Sequence, residues 1–388
     1  MKITIMKRIF AVIIFASTIG GASAQKNNVQ SAANSFKYEE YGEGKKYIDL
    51  AAKHPKTANS AKMWYYRGRI YLSIHESGNT TMDGDAIAKS VRSLVACIDV
   101  DETEMYTDSA QMYLMNAAIK CFVEGVNKYE GKDYSKSSEL YGLVLKTLDY
   151  DENKNLARNN VSEKTIYLNL YYAASGAEDK GKSKEYLRKL IELNYNDPNI
   201  YRFMCQILLE EEDTAGALSY IEKGRERFYD DRDLIIEQVN LSIKMGKSEE
   251  LLLRMSEDIE YDVGNSTLYL VRGILYEKKG DQEAAKKDYL EALELNPGYF
   301  IAAFNLGAMC YDAGAEILTA AKDILDNAKY AQEKEKAMVL FKEGIPYLEA
   351  ALEIDPTDDA AAQRLVRMYA RTGDTDKYNA LKAKMEGM

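Results

Sequence analysis

Histidine, cysteine and paired carboxylates are the residues with which this chain could do chemistry, and they are sparse or scattered. Among 388 residues there are two histidines, His54 and His75. Neither stands at metal-ligand spacing from a cysteine, an aspartate or the other histidine. No nucleophile elbow, zinc-protease, phosphate-loop or dinucleotide-loop pattern occurs. Cys97, Cys121, Cys205 and Cys310 lie far apart and read as buried small apolar residues. A Cys97–Cys121 disulfide is the sharper alternative, on helices expected to be neighbours. Asn79, Thr81, Asp83, Gly84 and Asp85 echo a calcium loop, but its twelfth position is Ser90 instead of the bidentate glutamate. An ordinary connecting loop is expected there. Asp108-Ser109-Ala110 and Asp213-Thr214-Ala215 match a short O-glycosylation triplet, yet both aspartates read better as helix N-caps. The remaining carboxylates read as solvated helix faces. No catalytic residue, no metal and no cofactor are expected.

What organises these residues is a period. Four blocks restart the same helical pattern every 34 residues, at Pro198, Arg232, Ser266 and Phe300, and a fifth fits backwards from Lys164. In the block from Ser266, Tyr269, Gly273 and Tyr276 share one face of a first helix at i, i+4, i+7 spacing. Gly280-Asp281 ends that helix and caps the next. Ala285, Tyr289 and Ala292 form the stripe of a second helix, which Pro297 stops. Gly273 lies mid-helix, where glycine costs about 1 kcal/mol relative to alanine. A close helix crossing is the reason to keep it. One such pair cannot bury its apolar face alone and must stack on a copy of itself.

This block resembles the tetratricopeptide repeat at seven fixed offsets: Tyr269, Gly273, Tyr276, Ala285, Tyr289, Ala292 and Pro297. The resemblance implies an all-α, right-handed superhelical solenoid of helix-turn-helix repeats. It covers 164–388 strongly and 60–150 moderately. Divergent hairpins are expected over 25–160, with Trp64, Gly68 and Tyr71 repeating the first-helix signature. A regular array is expected over 164–356, and a capping pair over 359–388. In the block from Phe300, the residues Leu348, Ala351 and Pro356 arrive about 25 residues late. An insertion over roughly 315–341 is expected to lengthen both helices of that repeat into a protruding hairpin turning near Asn327–Glu333. Leu190, Gly224 and Asp258 stand where the family has alanine. Sustained period-2 runs are absent, and there are only five prolines.

Residues 1–24 read as a secretory signal peptide of the bacterial type. Lys2, Lys7 and Arg8 precede an apolar run, and Ala22-Ser23-Ala24 offers a cleavage site before Gln25. The run is shorter than the ~20 residues a membrane span needs. Export to the periplasm, or beyond the cell, is expected, with no transmembrane segment in the mature chain. Without the leader, 48 basic residues face 62 acidic ones, a net charge of −14. Such a surface repels a phosphate backbone, so nucleic acid is not an expected partner.

The family resemblance further implies that first-helix positions 2, 5, 9 and 12 line a concave face where another protein or a peptide segment binds. Carried over residue by residue, these include Leu168, Tyr172, Arg202, Gln206, Ile236, Asn240, Leu270, Ile274, Phe304 and Tyr311. Near the N-terminus the same rule gives Lys62, Tyr65, Arg69 and Leu72. Asn169 and Asn305 share position 6 but lack the flanking basic set with which some family members grip a chain-terminal carboxylate. The expected role is a non-catalytic interaction scaffold of the cell envelope. A self-associating structural protein, a homo-oligomer in the periplasm, is the alternative.

Overall fold

A computed structural model describes residues 22–229 and 231–386. Most of the leader expected over 1–24 lies outside them. The described residues are all-α and pair into consecutive hairpins. The first four hairpins are α1 (Ala22–Lys37) with α2 (Tyr41–Ala52), α3 (Ala61–Glu76) with α4 (Ala86–Val100), α5 (Thr107–Glu130) with α6 (Tyr134–Thr147), and α8 (Glu163–Gly176) with α9 (Lys180–Glu192). A single turn, α7 (Asn155–Arg158), precedes α8. Five more follow: α10 (Asn199–Glu210) with α11 (Thr214–Arg227), α12 (Arg232–Lys244) with α13 (Ser248–Tyr261), α14 (Ser266–Lys279) with α15 (Gln282–Leu295), α16 (Phe300–Ala320) with α17 (Asn327–Ile354), and α18 (Asp359–Thr372) with α19 (Thr375–Glu386). The chain divides into two compact units, 1–195 and 196–388. Each is a stack of hairpins with its own buried apolar residues, in two clusters in unit 1 and a large one in unit 2.

One turn recipe makes most of the hairpins. A residue in the left-handed region ends the first helix, and an aspartate caps the second. Gly280 (φ 89°) precedes Asp281, whose carboxylate accepts from Ala284 N at 3.1 Å; Gly373 (φ 83°) precedes Asp374, which accepts from Lys377 N at 3.2 Å. Elsewhere an ordinary residue is forced into that conformation: Lys132 before Asp133, Glu178 before Asp179, Glu212 before Asp213. For a side-chain-bearing residue this costs roughly 1–2 kcal/mol, offset by the cap at about 1 kcal/mol and by packing. Asp213 is thus an N-cap as expected. Asp108 is not: it lies inside the first turn of α5, and the N-cap position is Tyr106.

The capping work before α5 falls to Asp101 instead. Its largely buried carboxylate accepts from Tyr106 N at 2.6 Å, Thr107 N at 3.0 Å, and the Thr103 and Thr107 hydroxyls at 3.1 Å each. Burial pushes the carboxyl pKa up, but these four donors outweigh it and hold it below the usual range. A carboxylate with a depressed folded-state pKa stabilises above its unfolded pKa and loses that contribution as pH falls through the folded value. Asp101→Asn is therefore expected to destabilise unit 1 by about 1.5–3 kcal/mol near neutrality. The gap between variant and parent should close below pH ~4. Urea titrations at several pH values read this directly, and a gap independent of pH would contradict it.

The core follows the small-residue positions. A Cβ on Gly273 would come within 2.8 Å of the Tyr289 ring, and one on Gly68 within 2.5 Å of Leu94. Ala285, Tyr289 and Ala292 are fully buried. Where the block from Arg232 replaces these small residues with Val239, Leu251 and Asp258, α12 and α13 pack together least of all the hairpins. The cap is missing there too, since Lys247 occupies the aspartate position. The insertion does lengthen α16 and α17, but the chain turns at 321–326, ahead of the expected 327–333. Asp326 decides this by accepting from Ala328 N and Lys329 N, so that α17 starts at Asn327. Leu325 at that turn is 97% exposed. All four cysteines are buried free thiols, and burial pushes Cys97, Cys121 and Cys205 up to about 12. The Cys97–Cys121 disulfide is not formed. The 79–85 loop is ordinary: Asp83 is paired to Lys89 at 2.7 Å and Lys45 at 3.5 Å.

Candidate partner-binding site

Unit 2 holds a recess of about 260 Å³ built by three first helices. From α12 come Arg232, Ile236, Val239 and Asn240. From α14 come Ile274, Glu277 and Lys278. From α16 come Phe300, Ile301, Phe304 and Asn305. The apolar lining follows from helical spacing, since Ile236, Val239 and Asn240 recur at i, i+3, i+4 and face one way. Phe300 and Phe304, one turn apart, stack at 5.8 Å with ring planes 14° apart. Arg232 lies 4.5 Å from the Phe300 centroid and reaches to 3.9 Å from the Asp358 carboxylate. Arg364 of α18 sits 5.2 Å from the Phe304 ring.

The polar wall is fixed from the core. Tyr289 is fully buried in the Gly273 notch, and its hydroxyl donates to Glu277 Oε2 at 2.5 Å while accepting from Asn305 Nδ2 at 3.0 Å. Burial, then the Glu277 charge, pushes the phenol far above its ordinary value, so it stays a neutral donor. Glu277 and Asn305 are thereby oriented before anything binds. Across the recess, Asn240 is exposed, and its amide has no hydrogen bond among the described residues. The arrangement offers apolar rings for a side chain and amides for a backbone, flanked by two cations and one carboxylate. Among the described residues no group of three or more histidine, cysteine, aspartate or glutamate side chains could hold a metal ion. No described helix is long and apolar enough to cross a membrane.

Of the residues expected to line one face, the recess gathers Ile236, Asn240, Ile274 and Phe304. Leu270 is corrected: it is fully buried, in the core that also holds Val239, Ile301 and Ala302, because its helix is the middle one of the three and is covered from both sides. Arg202 and Gln206 line a separate open cleft with Phe203, Leu209, Glu210 and Glu237. Arg202 is already paired there, 2.7 Å from Asp233. Tyr311 lines another, with Asp312, Asp359 and Arg367. Leu168 and Tyr172 belong to unit 1, where Leu168 is half-buried and Tyr172 is 6.5 Å from the Tyr129 ring. Position-by-position transfer missed Arg232 and Phe300. Both occupy position 1 of their blocks, and the 34-residue period marks that position without assigning it to the inner face.

Residues 266–299 match the family model described as "Tetratricopeptide repeat". This chain carries a tetratricopeptide repeat. The matched repeat supplies Ile274, Glu277, Lys278 and the Tyr289 anchor of the recess. Solved structures with similar folds include a TPR repeats protein from Bacteroides fragilis NCTC 9343, 19% identical over 65% of this chain and 98% of that one, with a TM-score of 0.29. YrrB, a TPR protein described as having an unusual peptide-binding site, is 16% identical over 51% of this chain and 96% of that one, with a TM-score of 0.29. Human IFIT1, solved as a dimer with a capped oligonucleotide, is 15% identical over 84% and 68%, with a TM-score of 0.37. None of the curated proteins compared matches the chain.

Proposed function

We propose that this tetratricopeptide protein is a non-catalytic scaffold of the cell envelope. It holds an extended segment of a partner protein in the recess between α12, α14 and α16. The observation that carries this reading is the pre-set wall opposite an apolar floor: the buried Tyr289 hydroxyl orients Glu277 and Asn305 toward the space that Ile236, Ile274 and Phe304 leave open. A pre-organised site of this kind saves the ordering that binding otherwise costs. Export rests on the basic and apolar segment within residues 1–24. The tetratricopeptide class supports a protein or peptide partner, and fold-level analogy goes no further than that.

The test is site-specific photo-cross-linking in intact cells. A benzophenone side chain at Asn240 should capture a partner, whereas one at the exposed Leu253 should not. Phe304→Ala combined with Ile236→Asp should lower capture at least tenfold, as expected for removing a central apolar contact worth about 2 kcal/mol. Equal capture from both positions, or capture undiminished in the double variant, rejects the recess. Adducts made only with a second copy of the chain, together with light scattering that depends on concentration, would favour self-association instead.

A further inference from the structure

Unit 1 carries a chemically different surface. Arg69 on α3 is packed among rings from three successive first helices. Its guanidinium carbon is 4.6 Å from the Phe36 centroid on α1, 4.3 Å from Tyr113 on α5, and 5.5 Å from Tyr65 one turn back. Tyr65 in turn contacts Tyr106 at 5.2 Å and Tyr113 at 6.1 Å. Rings on both neighbouring helices hold a guanidinium in one place at little further entropic cost. Of its five N–H donors, one is used among the described residues, from Nη1 to the Tyr65 hydroxyl at 3.3 Å.

No carboxylate of the described residues lies within 4 Å of Arg69, in a chain where acids outnumber bases 62 to 51. Two other half-buried arginines are paired, Arg67 with Asp49 and Arg272 with Asp288. Among the described residues Lys62, two turns back on α3, has no carboxylate within 4 Å and donates to the Gln30 amide oxygen at 3.1 Å. Two cations on α3 thus stand without a carboxylate partner among the described residues. The flank at α5 is apolar and adaptable: Met112, next to Tyr113 on that helix, is 61% exposed, and Met105, just before the Tyr106 N-cap, is 73% exposed. Exposed thioethers suit peptide side chains of variable shape.

We propose that Arg69 is the receptor for a side-chain carboxylate of an acidic peptide, whose neighbouring apolar residue rests on the Tyr113 and Met112 surface. The fork of a guanidinium matches a carboxylate with two parallel hydrogen bonds, and the surrounding rings lower the local dielectric and strengthen them. The site shares no residue with the recess of unit 2.

The experiment is calorimetric titration of the purified protein with two short peptides, acetylated and amidated at their ends so that only side chains carry charge. One has the sequence Leu-Glu-Phe-Glu-Leu, and the other has both glutamates replaced by glutamine. The glutamate peptide should bind at least about tenfold tighter. Arg69→Gln should abolish the difference. Arg69→Lys, which keeps the charge and loses the fork, should keep only part of it, and it stands in should the glutamine variant misfold. Equal affinities for the two peptides, discrimination unchanged in the Arg69 variants, or no heat from the glutamate peptide would overturn the assignment. Each of these results leaves the unit 2 recess standing, since Phe304→Ala and Ile236→Asp alter different residues.

Discussion

Replacing Arg272 with methionine should destabilise unit 2 by about 3–5 kcal/mol, the usual cost of breaking a buried ion pair from one side. Arg272 grips Asp288 with two hydrogen bonds, Nε to Oδ2 at 2.7 Å and Nη2 to Oδ1 at 2.8 Å. The Asp288 side chain is 3% exposed, and the guanidinium lies between Tyr269 and Tyr276 at 5.6 and 5.9 Å. The hydrogen bonds that the guanidinium donates to Asp288 outweigh burial and raise its pKa still further. Methionine fills much of the volume, so the loss falls on the stranded carboxylate. The second half of the prediction separates charge from packing. Arg272→Met with Asp288→Leu should recover most of the loss, because an apolar pair of similar volume needs no solvation. Urea midpoints of the parent, the single and the double variant read both terms. A single variant within about 1 kcal/mol of the parent would mean that water reaches Asp288 in spite of its burial.

That pair lies inside the block most legible in the sequence, yet pattern reading passes over it. Gly273, Tyr289, Ala285 and Ala292 are recognisable because each obeys a rule with one solution: two helix backbones approach, and a large ring needs a notch. The Gly280-Asp281 and Gly373-Asp374 turns are readable for the same reason. The turns at Lys132, Glu178 and Glu212 have the same geometry without the glycine, so they can be located only from the aspartate that follows. The strain there is met by the cap and by packing, neither of which leaves a mark on the strained residue. Arg272 and Asp288 are sixteen positions apart on different helices. Either could have been solvated, and only the close packing of α14 on α15 decides otherwise.

Legibility of the site has a similar limit. The periodic rule placed Ile236, Asn240, Ile274 and Phe304 on one face, and the recess unites them. It also placed Leu270 there, and packing took Leu270 into the core. A rule about one helix cannot know how many neighbours cover it. Arg202 shows the electrostatic version. Its charge reads as available, but Asp233 from the next hairpin occupies it at 2.7 Å, and only stacking of repeats brings the two together. Arg69 is the converse: its neighbours in space are rings, and its charge is left over.

Replacing Gly344 with valine should destabilise unit 2 by about 3 kcal/mol, at the upper end of overpacking costs. Position 20 of this repeat was displaced by the insertion, and Gly344 went unmarked although Leu348 and Ala351 follow it at the expected offsets. The structure shows why it matters. A Cβ on Gly344 would stand 2.6 Å from Cys310 Cβ and 3.2 Å from the Gly307 carbonyl, while one on Gly307 would stand 2.4 Å from Leu348 Cγ and 3.2 Å from the Gly344 carbonyl. Two glycines therefore meet backbone to backbone where α16 crosses α17. One heptad along, Gly314 takes Phe341 as Gly307 takes Leu348, so the lengthened hairpin extends the same packing rule beyond the insertion point. A third obstacle at Gly344, Met368 Cε at 2.6 Å, is a flexible end that can give way, but Cys310 Cβ and the Gly307 carbonyl are not, so the helices must separate to admit a branched residue. Separation at this crossing also shifts Phe300 and Phe304, since they ride on α16. Gly344→Val should accordingly weaken capture at the recess as well as lower the urea midpoint, whereas Gly142→Val, where a Cβ meets nothing within 4 Å, should do neither of these. A Gly344 variant that keeps the parental midpoint would show that the two helices can part at this crossing without loss, and the close approach would then not be what holds the long hairpin together.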